Sequence, residues 1–234
     1  MSPKTRGYKK NYSYYDVAVL GDAACGKSSV IERLLSGTFA ETYTPTTAEV
    51  YMATLHEDDR RVACLQLFDT AGGFEFPMML RLTITKCQAF FVVYSVGSQK
   101  SLEVAKRKLE EIASIKGKHF PCVLVGNMSD STARDVSSDK GLQIAVQYGC
   151  AYIETSAKED VNIEEAFYSL VRRIEFIERK EQIHQKQNHK QASAFASVAS
   201  KMKKRKSSVQ KFIVNLSNSF SDSNSSDSED SDSS

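Results

Sequence analysis

The sequence has few of the features that mark secreted or membrane-spanning proteins. Its five cysteines are odd in number and none lies in a Cys-x-x-Cys pair, so we interpret them as reduced thiols, mostly in the core. No run of residues approaches the roughly 20 apolar side chains that span a bilayer. No apolar segment follows the first residues, so we expect no secretory signal. These absences predict a cytoplasmic protein.

Two common signals for lipid attachment are also missing. N-myristoylation requires a glycine where this chain has Ser2, so we expect no myristoyl group. No cysteine follows Cys150, so we expect no prenyl group at the C-terminal end either.

The net charge is only +2, but charged residues are unevenly distributed. The first residues are basic, residues 186–211 are strongly basic, and residues 217–234 are acidic and rich in serine. Such segregation is typical of interaction tails on either side of a globular domain. We predict a flexible basic arm, a globular domain, a basic linker and a disordered acidic tail, over residues 1–14, 15–183, 184–216 and 217–234.

Residues 21–28 read Gly-Asp-Ala-Ala-Cys-Gly-Lys-Ser, the P-loop pattern Gly-x-x-x-x-Gly-Lys-Ser. An apolar stretch precedes the pattern and a helical pattern follows it, which is the strand–loop–helix context that this motif requires. Glycines allow successive backbone N–H groups to face phosphates at a helix N-terminus. We expect Lys27 to contact the β- and γ-phosphates and Ser28 to bind Mg²⁺. Cys25 is either an ordinary loop residue or a thiol with a lowered pKa.

Strand and helix patterns alternate along the chain, which predicts an α/β fold with a parallel sheet and helices on both faces. Polar residues 57–60 separate two strands that we interpret as a hairpin, the one antiparallel contribution. Residues 39–47 and 70–76 are predicted to be loops. Strands are predicted over 15–21, 48–56, 61–69, 89–95, 121–126 and 151–155, and helices over 28–36, 101–116, 139–148 and 163–183.

Three further motifs follow the P-loop at fitting intervals. They are Asp-Thr-Ala-Gly at residues 69–72, Asn-x-x-Asp at 127–130 and Ser-Ala-Lys at 156–158, each after a predicted strand. With the P-loop, they give a chain that resembles the Ras-like small GTPases over residues 15–180. The resemblance implies a P-loop GTPase fold with a mostly parallel six-stranded sheet and one antiparallel edge strand. It also implies a guanine-nucleotide switch that binds GTP or GDP with Mg²⁺ and hydrolyses GTP.

The resemblance implies roles at the phosphate end of the nucleotide. Thr46 matches the threonine that closes on Mg²⁺ and the γ-phosphate, and Asp69 matches the aspartate that holds Mg²⁺ through water. Gly72 matches the glycine whose N–H senses the γ-phosphate. The implied metal ligands are Ser28, Thr46 and Asp69, and the implied catalytic residues are Lys27, Thr46, Gly72 and Gly73.

It implies roles at the base as well. Asn127 and Asp130 match the pair that reads guanine, because a carboxylate accepts both N1–H and the 2-amino group. Ala157 would donate its N–H to O6, while Lys158 and Phe39 would pack against the base. The implied nucleotide-binding set is Gly21, Ala23, Ala24, Cys25, Gly26, Lys27, Ser28, Ser29, Phe39, Tyr43, Thr46, Gly72, Asn127, Met128, Asp130, Ser156, Ala157 and Lys158.

Three positions depart from the family pattern. The family usually has glycine in place of Ala23, a water-orienting glutamine in place of Gly73, and lysine in place of Met128. The first two changes predict slow hydrolysis, because a methyl group crowds the γ-phosphate and glycine orients no water. The third keeps apolar packing but loses a charge and a link to the P-loop, which predicts nucleotide affinity weaker by about 1–2 kcal/mol.

Two rival functions stay open beside the slow switch. One is a pseudo-GTPase scaffold whose nucleotide is structural or absent, which the three departures favour. The other is a nuclear or nucleic-acid-binding factor, although the globular domain shows no readout motif. For the switch, we expect effector proteins to contact residues 39–51 and 70–82, and an exchange factor to act on it.

Residues 201–216 join a cationic cluster to an apolar stretch. A solvated basic linker, contact with anionic lipid or a calmodulin-like partner, and nuclear import are the three interpretations. They add the inner plasma membrane and the nucleus as alternative locations. Serines beside acidic residues in the tail suit an acid-directed kinase.

Overall fold

The fold is organised around one six-stranded sheet. The computed structural model describes residues 10–56, 58, 60–72, 77–117, 119–188, 190, 191, 193 and 195. The chain divides into a unit over Met1–Arg179 and a second unit over Lys180–Ser234. In the second unit the described residues 180–188 are helical. The predicted membrane or partner segment at 201–216 and the acidic tail at 217–234 lie outside the described residues.

The strand order in the described part of the chain is β2-β3-β1-β4-β5-β6. Only β2 runs antiparallel to its neighbour, and the other described pairings are parallel. The fold class implied by the resemblance is therefore confirmed. The strands are β1 (Asn11–Gly21), β2 (Ala48–His56), β3 (Arg61–Thr70), β4 (Ala89–Ser95), β5 (Cys122–Asn127) and β6 (Ala151–Glu154).

Helices cover both faces of the sheet. The described helices of the first unit are α1 (Lys27–Ser36), α2 (Pro77–Lys86), α3 (Gln99–Lys116), α4 (Ser138–Tyr148) and α5 (residues 163–179). None of the described helices is both long enough and apolar enough to cross a bilayer.

The central strands are buried on both faces, which explains their continuous apolar sequences. Successive residues of β1 and β4 alternate between two core clusters. One cluster contains side chains of α1 and α5, such as Val30 and Phe167, and the other contains side chains of α2, α3 and α4, such as Leu109. Phe91 and Phe167 stack with ring centroids 4.6 Å apart and join β4 to α5.

The prediction of a flexible arm over residues 1–14 is wrong for residues 11–14. Strand β1 begins at Asn11, and Asn11 through Tyr14 pair with the first residues of β3. Strand β4 pairs with β1 only from Val17 onward, so no described strand or helix buries the side chains of this extension. Tyr12 and Tyr14 alternate with polar residues, but four residues are a weak strand signal and both tyrosines are exposed, so the basic composition of the preceding residues led to the prediction of an arm.

Helix α2 was not predicted either. It starts at Pro77, directly after the predicted loop, and only Ile84 is buried. The apolar side chains of Met78, Met79 and Leu82 are exposed, so the helix lacks the one-sided apolar stripe that identifies amphipathic helices. The other predicted elements occur, most of them with boundaries shifted by one or two residues, as with α3, which starts at Gln99 rather than 101. The last helix was predicted to end at residue 183, and the described residues are helical through 188.

Candidate functional site

A cavity of about 850 Å³ opens where the parallel strands β1, β3 and β5 end. Ligands of open α/β sheets bind at this edge, beyond the carboxyl ends of the strands. Most of the predicted site residues lie around it. Those that line the cavity are Ala24, Gly26, Lys27, Ser28, Ser29, Phe39, Tyr43, Thr46, Gly72, Asn127, Met128, Asp130, Ala157 and Lys158.

The loop over residues 21–28 curls around the ammonium group of Lys27. Lys27 is buried, and its Nζ donates to Asp22 O at 2.9 Å. Gly26 has φ of 89°, and a Cβ there would lie 2.2 Å from Asn127 Nδ2. A side chain at this position would therefore both strain the backbone and collide with Asn127. The loop leads directly into α1, so backbone N–H groups at the helix N-terminus face the cavity.

Gly21 and Cys25 belong to this loop but face the sheet and do not line the cavity. A Cβ at Gly21 would lie 2.2 Å from Val93 O, so β1 and β4 require glycine there. Cys25 is buried, and its Sγ donates to Val93 O at 3.3 Å. Burial raises the pKa of the Cys25 thiol to about 11. Cys25 is thus an ordinary buried loop residue and not a low-pKa thiol.

Three side-chain oxygens converge beside Lys27. Ser28 Oγ lies 2.7 Å from Thr46 Oγ1 and donates to Asp69 Oδ2 at 2.5 Å. Asp69 Oδ1 is buried and has no hydrogen-bond partner among the described residues. Burial raises the pKa of Asp69, against the lowering effects of the Ser28 hydrogen bond and the Lys27 charge. An unpaired buried carboxylate oxygen beside two hydroxyl groups fits a hard cation such as Mg²⁺.

Asn127 connects three segments at the other end of the cavity. Its Nδ2 donates to Cys25 O at 3.1 Å, and its Oδ1 accepts from Thr155 Oγ1 at 3.1 Å and from Ala157 N at 3.3 Å. The amide is buried and uses both its donor and its acceptor side. Asn127 therefore holds the P-loop and the 155–158 loop against the end of β5.

Ser156 does not line the cavity but orients a residue that does. Its Oγ donates to Asp130 Oδ1 at 2.6 Å and accepts from Glu159 N at 3.0 Å. One carboxylate oxygen of Asp130 is thereby held, and Asp130 lines the cavity.

Met128 lines the cavity with a left-handed backbone, φ 64°. Its Sδ accepts a hydrogen bond from Ser95 Oγ at 3.2 Å. We expected the missing lysine to cost a link between this strand and the P-loop. In this structure the neighbouring Asn127 makes that link, through Cys25 O.

Ala23 and Gly72 come into close contact. A Cβ at Gly72 would lie 2.3 Å from Ala23 Cα and 2.4 Å from Ala23 N, so only glycine allows this approach. Ala23 itself is exposed and does not line the cavity, and its N donates to Asp22 Oδ1 at 2.9 Å. Gly73 lies outside the described residues.

Several residues of the site carry no motif and were missed. Arg33, in the last turn of α1, donates to the backbone carbonyls of Ala157 and Lys158. Tyr51 lines the cavity and donates a hydrogen bond to Glu49. Burial raises the pKa of Tyr51, and the hydrogen bond to Glu49 raises it further. Arg33 could not be identified from the sequence, because a partly exposed arginine on a helix has the same pattern as an ordinary solvated residue. The unpredicted residues that line the cavity are Glu32, Ala40, Glu41, Thr42, Thr44, Pro45, Glu49, Tyr51, Thr70, Ser131 and Thr132.

Comparison with known proteins gives one consistent result. The sequence profile described as Ras family matches residues 16–176. The chain is 42% identical to GTP-binding protein Di-Ras2 of Pongo abelii over 160 residues, which cover 67% of this chain and 80% of the relative. It is 39% identical to GTP-binding protein drn-1 of Caenorhabditis elegans over 175 residues, 73% and 78% of the two chains. It is 35% identical to Ras-like protein 2 of Mucor circinelloides f. lusitanicus over 196 residues, 82% and 97% of the two chains.

Proposed function

The chain belongs to the Ras family of small GTPases, and from this premise we propose that it is a signalling switch that binds GTP and GDP with Mg²⁺ and hydrolyses GTP slowly. The observation that carries the proposal is the convergence of Ser28, Thr46 and Asp69 beside the buried Lys27. Lys27, Ser28 and Thr46 line one cavity together with Asp130, and Asp69 contacts the cavity through Ser28. The proposed phosphate-binding and base-reading groups therefore face the same space.

In this proposal, one end of the cavity binds the phosphates and Mg²⁺, and the other end binds the base. At the phosphate end, Lys27 and the N–H groups at the start of α1 stabilise negative charge. Ser28, Thr46 and Asp69 would hold Mg²⁺, which neutralises phosphate charge when bound. At the base end, Asp130 accepts two hydrogen bonds that guanine can donate and adenine cannot.

Slow hydrolysis follows from Ala23 and Gly73. The backbone of Ala23 is in close contact with Gly72, in the chain after β3, and the family resemblance puts the methyl group of Ala23 beside the γ-phosphate. Glycine at position 73 offers no side chain to orient an attacking water. The same two residues favour the second candidate, a pseudo-GTPase scaffold that binds partners without turnover. Single-turnover hydrolysis of bound GTP separates the candidates, because a scaffold shows none above the rate of free nucleotide.

Nucleotide binding is tested by calorimetry with GDP, GTP and ADP, each with Mg²⁺, together with identification of the nucleotide that co-purifies with the chain. We expect GDP and GTP to bind and ADP not to bind. Asp130→Asn should move the preference from guanine toward xanthine, because an amide presents a donor where guanine also has one. The matched control is Asp135→Asn, an exposed aspartate of the same loop. Equal binding of ADP and GDP would contradict the proposal.

We also propose residues 39–51 and 70–82 as the surface for effectors and for an exchange factor. Ras-like GTPases generally bind such partners. Exposed apolar side chains support this choice, since Val50 lies on β2 and Met78, Met79 and Leu82 lie on α2. Met78, Met79 and Leu82 lie within a few residues of one another on α2, and neighbouring exposed apolar residues commonly mark an interaction surface.

Any membrane contact would come from residues 201–216, which lie outside the described residues. Their sequence supports electrostatic and reversible binding to an anionic surface, such as the inner plasma membrane, or to a calmodulin-like partner. Nuclear import through the basic residues 203–206 is the alternative.

A further inference from the structure

The guanidinium group of Arg33 connects two loops at the base end of the cavity. Its Nε donates to Ala157 O at 2.7 Å, its Nη2 to Lys158 O at 2.8 Å, and its Nη1 to Gly37 O at 2.6 Å. All three distances are short for N–H···O bonds, as is usual when the donor carries a charge.

Both of the connected loops contribute residues to the cavity. Ala157 and Lys158 line it directly. Gly37 ends α1 with a left-handed backbone, φ 66°, and two residues later Phe39 also lines the cavity. Arg33 is thus placed to fix the positions of two segments that the proposed function puts against the base.

The bonds to Ala157 and Lys158 fix a particular part of the backbone. Their carbonyls belong to consecutive peptide groups, and the two dihedral angles of Lys158 lie between those groups. One rigid donor bonded to both carbonyls therefore restricts these angles and fixes the peptide group that carries the Ala157 carbonyl. The Ala157 N–H lies in the adjoining peptide group, so an anchored carbonyl on one side of Ala157 and the Asn127 bond on the other limit how far this N–H can turn. That N–H makes only a long bond, 3.3 Å, to Asn127 Oδ1, so it has capacity for a ligand acceptor.

We propose that Arg33 is a positioning residue for guanine recognition, which holds the Ala157 N–H toward O6 of the base. The inference rests on the proposed function, because it assumes that guanine occupies this end of the cavity. Arginine suits the role because its planar group offers five donors in a fixed arrangement. A lysine at position 33 would offer one nitrogen, which cannot bond to all three carbonyls in the same geometry.

The test compares ligands that differ at O6. Dissociation constants are measured with Mg²⁺ for GDP, for IDP, which keeps O6 but lacks the 2-amino group, and for 2-aminopurine riboside diphosphate, which lacks O6 and also the N1–H. The comparison is therefore made between variants for each nucleotide, so that the constant loss of the N1–H cancels. The proteins are the wild-type full chain, Arg33→Ala, Arg33→Lys and the control Arg172→Ala. Arg172 pairs with Glu165 on the exposed face of α5, so its loss removes the same charge away from the cavity.

In Arg33→Ala we expect GDP and IDP to bind about tenfold more weakly, about 1.4 kcal/mol, mainly through faster dissociation. The dissociation constant of Arg33→Ala for the nucleotide without O6 should differ from the wild-type value by less than about twofold. Arg33→Lys should recover only part of the loss, and Arg172→Ala should behave as the wild type. Thermal unfolding without nucleotide shows whether each variant is folded, and Arg33→Lys keeps the comparison available if Arg33→Ala does not fold.

Two results would overturn the inference while leaving the proposed function intact. One is an equal loss of affinity for all three nucleotides, which would mean that Arg33 only supports the fold. The other is unchanged GDP affinity in Arg33→Ala. Failure of the wild-type chain to bind GDP would overturn both the proposed function and the inference.

Discussion

At the scale of single residues, the site depends on which atoms each side chain offers. Asn127 donates to Cys25 O and accepts from Thr155 and Ala157, so one amide holds three segments of backbone. Its neighbour Met128 contributes one weak sulfur acceptor, for Ser95. With methionine at position 128, the end of β5 is still connected to the P-loop through Asn127. The effect of this methionine on affinity should be limited to contacts with the nucleotide itself.

Restoring the family residues at two positions should accelerate hydrolysis. We expect the variant with both Ala23→Gly and Gly73→Gln to hydrolyse bound GTP at least about tenfold faster, on the order of 1.4 kcal/mol of transition-state stabilisation. The reason is that glycine at position 23 removes a methyl group that would crowd the γ-phosphate, and glutamine at position 73 can orient water. Single-turnover assays on preloaded protein measure the rate, with each single variant as a control. A wild-type rate equal to that of the double variant would show that another residue orients the water.

Because one carboxylate oxygen of Asp69 is unpaired, Asp69→Asn should stabilise the protein without ligand and weaken its stabilisation by GDP and Mg²⁺. Without metal and nucleotide, Asp69→Asn should raise the free energy of unfolding, because it removes a buried charged group whose Oδ1 lacks a partner. With GDP and Mg²⁺, the wild type should gain thermal stability through binding, and the variant should gain less. Thermal unfolding with Mg²⁺ or with EDTA, using Asp135→Asn as the control, measures both. If Asp69→Asn gains as much thermal stability from GDP and Mg²⁺ as the wild type does, Asp69 is not part of the metal site.

At the scale of elements, an ion pair joins the loop after β5 to β6. Arg134 Nη1 and Nη2 donate to the two carboxylate oxygens of Glu154, each at 2.9 Å. Ser138 and Tyr152 also donate to Glu154, both at 2.8 Å. Strand β6 leads into the 155–158 loop, so this cluster fixes, relative to each other, the two loops that we propose to bind the base.

The hydrogen bonds from Arg134, with those from Ser138 and Tyr152, lower the pKa of Glu154 to about 2. A folded-state pKa below the unfolded value, about 4.3, stabilises the protein above that value, and this contribution is lost as pH falls toward 2. Glu154→Gln should therefore lower the free energy of unfolding by about 1 kcal/mol at neutral pH, a value reduced for partial exposure. The difference from the wild type should shrink between about pH 5 and pH 2. Denaturant unfolding across this range measures it, and a difference that does not depend on pH would contradict the assignment.

Elements with a strong periodic signal could be predicted from the sequence, and those without one could not. Strand β4 was predictable because both of its faces are buried and its sequence is continuously apolar. The extension of β1 over residues 11–14 was not, because pairing with β3 uses only backbone groups and no described core covers its side chains. Helix α2 was not predicted, because Met78, Met79 and Leu82 are exposed and only Ile84 is buried. In the site, motif residues were predictable, whereas Arg33 acts through carbonyls 124 and 125 positions away in sequence.

At the scale of the whole molecule, the sequence places opposite charges in the two segments that follow the GTPase domain. Residues 201–216 carry six basic residues, and residues 217–234 carry acidic residues among serines. Both segments lie outside the described residues, so the expectation rests on charge alone. Each basic residue near an anionic surface contributes about 1 kcal/mol before screening, and the apolar residues at 212–216 could add insertion.

We therefore predict membrane binding that is reversible and sensitive to salt. Vesicles with anionic lipid should co-sediment the wild-type chain at low ionic strength and release it at high ionic strength, because the attraction falls within a Debye length. The variant with Ser207→Glu and Ser208→Glu should bind more weakly, since the new charges cancel part of the basic cluster. A chain truncated after Leu216 should bind more tightly, because the acidic tail no longer competes for the same lysines. Co-sedimentation that changes neither with ionic strength nor with the two glutamate substitutions would contradict the prediction. Nuclear accumulation that depends on Lys203, Lys204, Arg205 and Lys206 would instead support import.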